Sequence, residues 1–367
     1  MVVAALCVVA GALCAGCTAS SGAAPAPASA ASASAPTGSP GPGSSVPAAS
    51  AQPVTQNSTG QGAPVPSAGC ALAQAPPVTG LLQGLEVAGT PRWYLLTTPS
   101  ADVPSPDPAV SLATAPAPTP RPLVLDFPGL GESAAVQAAM SQFGALGQQD
   151  GFVVAFPEGT ADPVRWDMTG LSSANPDLEF VTALLDQVED TLCIDTSRVY
   201  ATGFSDGAYM ASALACSMSG RFTAIGAVSG LQLPTRCVTV RHVPVITFHG
   251  TSDPILPFGG GTATATLSQQ LDDTEAVPTP VPGVVQAWAA RDGCDPRAVD
   301  THVAGEVVLR RYRCPAEVDV EFYIVVGGGH AWPGSLTSAA EGPAVGTTTF
   351  QIDATSLMWS FFQRFQL

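Results

Sequence analysis

The pentapeptide Gly203-Phe204-Ser205-Asp206-Gly207 constrains this chain more than any other feature. A β-prone run, Ser197-Arg198-Val199-Tyr200-Ala201-Thr202, leads into it, and Ala208-Tyr209-Met210-Ala211-Ser212-Ala213-Leu214-Ala215 reads as a helix behind it. Strand, Gly-x-Ser-x-Gly turn and helix in that order make a sharp corner with a serine at its tip. The turn is so tight that only glycine fits two residues either side of the serine. Its hydroxyl is left exposed above a helix N-terminus. In a chain with 37 glycines the pentapeptide alone would say little. Its flanks separate it from a Gly-rich corner and make Ser205 a candidate nucleophile.

Short apolar runs alternate with helical patterns on both sides of this corner. Strands are predicted at 92–97, 123–127, 152–157, 225–229, 245–249, 307–312 and 320–326, with helices over 133–149, 178–192, ending at 286–291, and over 356–365. Runs such as 243–248 are continuously apolar, the pattern of strands covered on both faces. The prediction is an α/β fold, with a mainly parallel central sheet and helices on both faces, over residues 70–367. Residues 99–120 are Pro/Ala-rich and read as an exposed insertion loop.

The N-terminal stretch before Glu86 is different. No Lys, Arg, Asp or Glu precedes Glu86. Residues 1–17 are apolar, too short to span a bilayer comfortably, and end in Leu13-Cys14-Ala15-Gly16-Cys17. They read as a signal peptide, with Cys17 as a candidate lipidated residue after a lipobox-like sequence. The alternative is simple cleavage near Ala15 or Ala19. Residues 18–69 are mostly Ala, Pro, Ser, Gly and Thr, without charge and with almost no large apolar side chain, and read as a disordered linker with a reach of roughly 40 Å. Together these segments predict an extracytoplasmic protein, secreted or lipid-anchored, that touches a membrane only through that anchor.

Six cysteines remain beyond the leader: Cys70, Cys193, Cys216, Cys237, Cys294 and Cys314. An even count in an exported domain points to three disulfides among fifteen connectivities. Cys294–Cys314 would close a short loop between a helix end and the next strand. Cys216–Cys237 and Cys70–Cys193 are assigned by elimination only. Among these six no Cys-x-x-Cys spacing points to zinc, and no metal site is predicted. The formal charge of −16 argues against nucleic acid as a partner.

A serine hydroxyl needs a base, and the base an orienting acid. Only four histidines exist. His330 follows three glycines at a strand's C-terminal end, which reads as a flexible loop presenting an imidazole. His249 opens His249-Gly250-Thr251-Ser252-Asp253 at another strand end and reads as a brace for the loop carrying Asp253. His242 and His302 read as surface residues. Ser205, Asp253 and His330 stand in the chain order of an α/β-hydrolase triad, and such residues converge beyond the C-terminal strand ends. For the oxyanion, the expected backbone donors are the N–H of Asp206 and that of Leu130 after Pro128-Gly129. Trp332 and Trp166 are candidates for substrate contact. Glu132 brings a carboxylate near the mouth and reads as a solvated charge.

The elbow with Tyr209-Met210, the His249–Asp253 segment and Gly327-Gly328-Gly329-His330-Ala331-Trp332-Pro333-Gly334 together resemble the exported polyhydroxybutyrate depolymerase and feruloyl esterase family. The resemblance covers about residues 85–367. It implies an α/β-hydrolase fold and ester hydrolysis through an acyl-serine intermediate, with no metal or organic cofactor. The chain departs from that family at the first oxyanion loop, where Pro128-Gly129 replaces His-Gly, and at 168–175, so the acyl group does not carry over. A serine peptidase of the same fold and a non-catalytic wall-binding protein are the alternative readings.

Overall fold

A computed structural model describes residues 62–72, 80, 82–99, 118–161, 163–167, 172, 174–235, 237–261 and 279–367. The leader with Cys17, the linker up to residue 61 and insertion residues 100–117 lie outside the described residues. The described residues fall in one unit, Ser58–Leu367.

The strands form one ten-stranded sheet in the order β1-β2-β4-β3-β5-β6-β7-β10-β9-β8. In chain order they are β1 (Leu82–Val87), β2 (Thr90–Thr97), β3 (Arg121–Phe127), β4 (Val153–Pro157), β5 (Ile194–Gly203), β6 (Ala224–Val228), β7 (Val245–Gly250), β8 (Ala298–Ala304), β9 (Val307–Tyr312) and β10 (Val320–Val325). The six central strands, β4-β3-β5-β6-β7-β10, run parallel. An antiparallel pair closes each edge, β1-β2 on one side and β9-β8 on the other.

Alternation along the central strands builds two cores. Leu123, Leu125 and Phe127 of β3 face one way, with Ala201 of β5 and Phe322 of β10. They meet the helices α3 (Pro176–Thr191), α4 (Asp206–Ser217) and α5 (Val281–Arg291) through Leu184, Leu214 and Trp288. Val124, Val154, Tyr200, Ile246 and Tyr323 face the other way. They meet α1 (Ala134–Ser141), α2 (Phe143–Asp150) and α7 (Ala354–Phe362) through Met140, Phe143 and Trp359. The continuous apolar runs in the sequence are therefore strands covered on both faces. A short helix, α6 (Leu336–Ala340), follows β10.

Several boundaries differ from the sequence expectation. The helix expected over 133–149 is two helices, broken at Gln142, whose φ of 59° is left-handed. Helix α3 starts two residues early because Asn175 caps it, its side-chain oxygen accepting the N–H groups of Asp177 and Leu178. Strands β1 and β8 were not expected. Their residues are mostly exposed or half-buried, so neither carries the apolar run of a central strand. The end of the expected linker is structured too. Ser67 donates its N–H to the Ile194 carbonyl and its hydroxyl to that of Leu192.

Candidate active site

Ser205 sits between β5 and α4 with φ 53° and ψ −116°, a backbone conformation that side-chain-bearing residues rarely adopt. The two glycines explain how the corner closes. A Cβ on Gly203 would lie 2.5 Å from the Gly207 carbonyl, and one on Gly207 would overlap the Phe127 carbonyl at the end of β3. The elbow is wedged against β3, and the Ser205 N–H is donated to the Val228 carbonyl at the end of β6. Ser205 is 8% exposed, so a small opening reaches it.

Asp253 and His330 meet beyond the ends of β7 and β10. His330 Nδ1 lies 2.8 Å from Asp253 Oδ2. Asp253 accepts on both of its oxygens. Its Oδ1 takes the N–H groups of Ile255 and Leu256, each at 2.8 Å. Its Oδ2 also lies 3.2 Å from His249 Nε2. Burial by itself would raise the carboxyl. The hydrogen bonds and charges of His249 and His330 outweigh it and hold Asp253 well below the usual carboxylate range. An ionised Asp253 only accepts, so His330 Nδ1 carries a proton and Nε2 is left as the basic nitrogen. His249 Nε2 also donates to the Leu256 carbonyl at 2.8 Å, which ties the brace to the loop that it supports.

Gly329, directly before His330, allows close packing rather than flexibility. The His330 N–H reaches the Val345 carbonyl at 2.6 Å, and that of Gly329 reaches Thr347 at 2.8 Å. A Cβ on Gly329 would overlap the Val345 carbonyl, and one on Gly250 would overlap that of Gly328. The imidazole packs against Phe204 with ring centroids 4.9 Å apart, which places it beside the elbow.

Leu130 and Asp206 flank the elbow, Leu130 three residues after β3 ends and Asp206 at the first position of α4. Among the described residues neither backbone N–H is donated to a protein acceptor. Both stand at the end of the sheet where a carbonyl oxygen could receive them. Glu132, expected as a solvated charge, instead folds back and accepts the Gly129 N–H at 2.9 Å. Burial pushes its carboxyl up to about 7, offset in part by that hydrogen bond and reinforced by Glu341.

The two tryptophans are not presented to a substrate. Trp332 is 1% exposed, with its indole N–H on the Thr355 hydroxyl and its ring edge-on to Phe143. It is part of the core beneath the histidine loop. Trp166 is 4% exposed and packs edge-on to Phe127. Both rings are amphipathic, and sequence alone does not say which end of such a ring is buried. His242 pairs with Asp292, and His302, exposed on β8, reaches the Gly305 carbonyl in the turn to β9, so neither joins the site.

Among the described residues the six cysteines form three disulfides, Cys70–Cys193, Cys216–Cys237 and Cys294–Cys314. Among the described residues no group of three or more His, Cys, Asp or Glu could hold a metal ion. No helix among them is long and apolar enough to cross a membrane.

Residues 111–283 match the phospholipase/carboxylesterase family model, a span that includes Ser205 and Asp253 and stops short of His330. The protein named "Putative esterase NocK" from Nocardia uniformis subsp. tsuyamanensis is 31% identical over 252 residues, 63% of this chain and 70% of that protein. Probable feruloyl esterase C from Aspergillus niger is 30% identical over 157 residues, 42% of this chain. Feruloyl esterase B from Piromyces equi is 26% identical over 219 residues, 57% of this chain. The chain spans 50% and 39% of the lengths of those two enzymes. Among solved structures, the acetyl xylan esterase from Aspergillus awamori superposes with a TM-score of 0.53 at 14% identity, covering 78% of this chain and all of that one. That likeness is one of fold.

Proposed function

Because the chain belongs to the phospholipase/carboxylesterase family of α/β hydrolases, we propose that it is a serine esterase working outside the cytoplasm through Ser205, Asp253 and His330. The observation that carries this reading is the 2.8 Å contact of His330 with Asp253, whose other oxygen takes two backbone N–H groups, beside a serine held at positive φ. His330 Nε2 takes the Ser205 proton as Oγ bonds to the ester carbonyl carbon. The oxyanion that forms is received by the N–H groups of Leu130 and Asp206. The ester C–O bond then breaks, and the alcohol leaves with the proton from His330. Water repeats the sequence on the acyl-serine, giving up its proton to His330, and Ser205 regains a proton as the acid departs.

Three disulfides support a site outside the reducing cytoplasm. The signal sequence and a lipid on Cys17 belong to the same proposal. The names of the relatives point to feruloyl or acetyl esters on polysaccharide as the substrate class, with hydroxyalkanoate esters as the comparison. Parallel turnover of feruloyl, acetyl and 3-hydroxybutyryl esters by the purified protein ranks them. Ser205→Ala is expected to lower turnover by roughly four to six orders of magnitude. It should also abolish covalent labelling by a fluorophosphonate. Labelling that survives the substitution, or near-native turnover of p-nitrophenyl acetate, would remove Ser205 from the mechanism.

A further inference from the structure

Trp166 makes two hydrogen bonds that point in different directions. Its backbone N–H is donated to Asp206 Oδ2 at 2.9 Å. Its indole Nε1–H is donated to the Pro128 carbonyl at 2.9 Å. Asp206 carries one of the two backbone donors assigned above to the oxyanion, and Pro128 stands two residues before the other, Leu130. A third bond comes from the same segment, where the Val164 carbonyl accepts the Gly131 N–H at 2.7 Å. Residues 164–166 therefore grip the Leu130 turn on both sides and the Asp206 corner at its side chain.

This grip is itself anchored from behind. The Asp167 N–H is donated to Asp177 Oδ2 at 2.6 Å, and Asp177 Oδ1 accepts Arg92 at 2.6 Å. Both side chains of that ion pair are buried, and the guanidinium lies over the Phe180 ring at 4.0 Å. A hydrogen-bonded path thus runs from β2, through the start of α3, to both parts of the oxyanion site. Burial raises the Asp206 carboxyl to about 6, against the lowering effect of the Trp166 N–H.

We propose that Trp166 is a positioning residue that sets the spacing of the Leu130 and Asp206 N–H groups, and so acts on the transition state rather than on substrate binding. The inference rests on the esterase reading above. An oxyanion hole works only when its donors stand about 2.7–3.1 Å from where the charge develops. A displacement of about 1 Å costs on the order of 100-fold in rate. The carbonyl of a bound ester is gripped less tightly than the oxyanion, so misplaced donors lower kcat more than they raise KM.

The test replaces the indole donor while keeping an aromatic ring. Trp166→Phe, and separately benzothienylalanine at position 166, which keeps the indole shape without its N–H, are compared with the wild type. The measurements are kcat and KM on an aryl ester, the inhibition constant of an aryl trifluoromethyl ketone, and the melting temperature. Expected is a fall in kcat of about 10- to 100-fold with KM within about two-fold. Affinity for the ketone, whose serine adduct carries an oxyanion, should weaken by the same factor as kcat. The benzothienyl variant should show this loss with its melting temperature close to that of the wild type. An active wild type whose two variants keep kcat and ketone affinity within about two-fold overturns the positioning role, whatever their stability. A wild type inert to both ester and fluorophosphonate overturns the esterase reading, and this inference with it.

Discussion

Two buried aspartates near the elbow have been driven in opposite directions. Asp253 fills both oxygens with donors and is held ionised. Asp126, on β3, receives the Gln137 amide at 2.7 Å on one oxygen, while the other is buried without a hydrogen-bond partner. Burial pushes Asp126 up to about 7, against the lowering effect of the nearby Ser141 hydroxyl and the Gln137 amide, with Glu132 pushing the same way. The consequences for stability have opposite signs. The lowered Asp253 contributes stability that is present above its unfolded pKa near 4 and is lost as pH falls through its folded value. The raised Asp126 binds its proton more tightly when folded, so it withdraws stability as pH rises from about 4 to about 7. Asp126→Asn keeps an acceptor for Gln137 and cannot ionise. It is expected to raise stability at pH 8 by about 1–4 kcal/mol and leave it nearly unchanged at pH 4. Urea unfolding at the two pH values checks this, and an equal effect at both would mean that folding does not raise the Asp126 carboxyl.

The two loops that hold Asp253 and His330 work as a single interlocked element. The Ser252 N–H is donated to the Gly328 carbonyl, and the Gly327 N–H to the Thr251 hydroxyl. Behind them the Val345–Thr347 segment holds Gly329 and His330 by their backbone N–H groups. Gly329→Ala would force its Cβ into the Val345 carbonyl and displace the imidazole next to it. A fall in kcat of at least about 10-fold is expected, with secondary structure kept by circular dichroism. An alanine variant with native kcat would restore the flexible-loop reading. The glycine triplet also shows where sequence reading stops. The apolar runs of β3, β7 and β10 and the Gly-x-Ser-x-Gly pattern of the elbow were legible because each is a short-range pattern along the chain, even though the carbonyl that excludes a side chain at Gly207 belongs to Phe127. The reason for Gly329 was not, because the carbonyl that excludes a side chain belongs to a segment sixteen residues further on. Trp166 is the same case, since its two acceptors lie 38 and 40 residues away along the chain. Strands β1 and β8 escaped for another reason, since partly exposed edge strands carry little hydrophobic period to read.

At the scale of the molecule, the disulfides lie away from the proposed chemistry. Cys70–Cys193 ties the short helix at Ala68–Ala71 to the residue before β5, at the opposite end of that strand from Ser205. It joins residues 123 apart in sequence, against 21 for Cys216–Cys237. A crosslink stabilises chiefly by restricting the unfolded chain, and in the chain-entropy model the effect grows with the logarithm of the loop. By that model the long loop contributes about 5 kcal/mol, and the short one about 1.6 kcal/mol less. Replacing Cys70 and Cys193 together by serine should therefore cost more stability than replacing Cys216 and Cys237. Turnover at a temperature below both transitions should stay native, because β5 still enters the elbow through its pairing with β3. Guanidinium unfolding of the two double variants, with kcat measured alongside, checks both statements. A larger loss from the short loop would show that native packing around Cys216, which is 1% exposed on α4, outweighs chain entropy in setting the ranking. Loss of kcat in the Cys70/Cys193 variant, with the fold intact, would mean that the far end of β5 is coupled to the elbow through the strand itself.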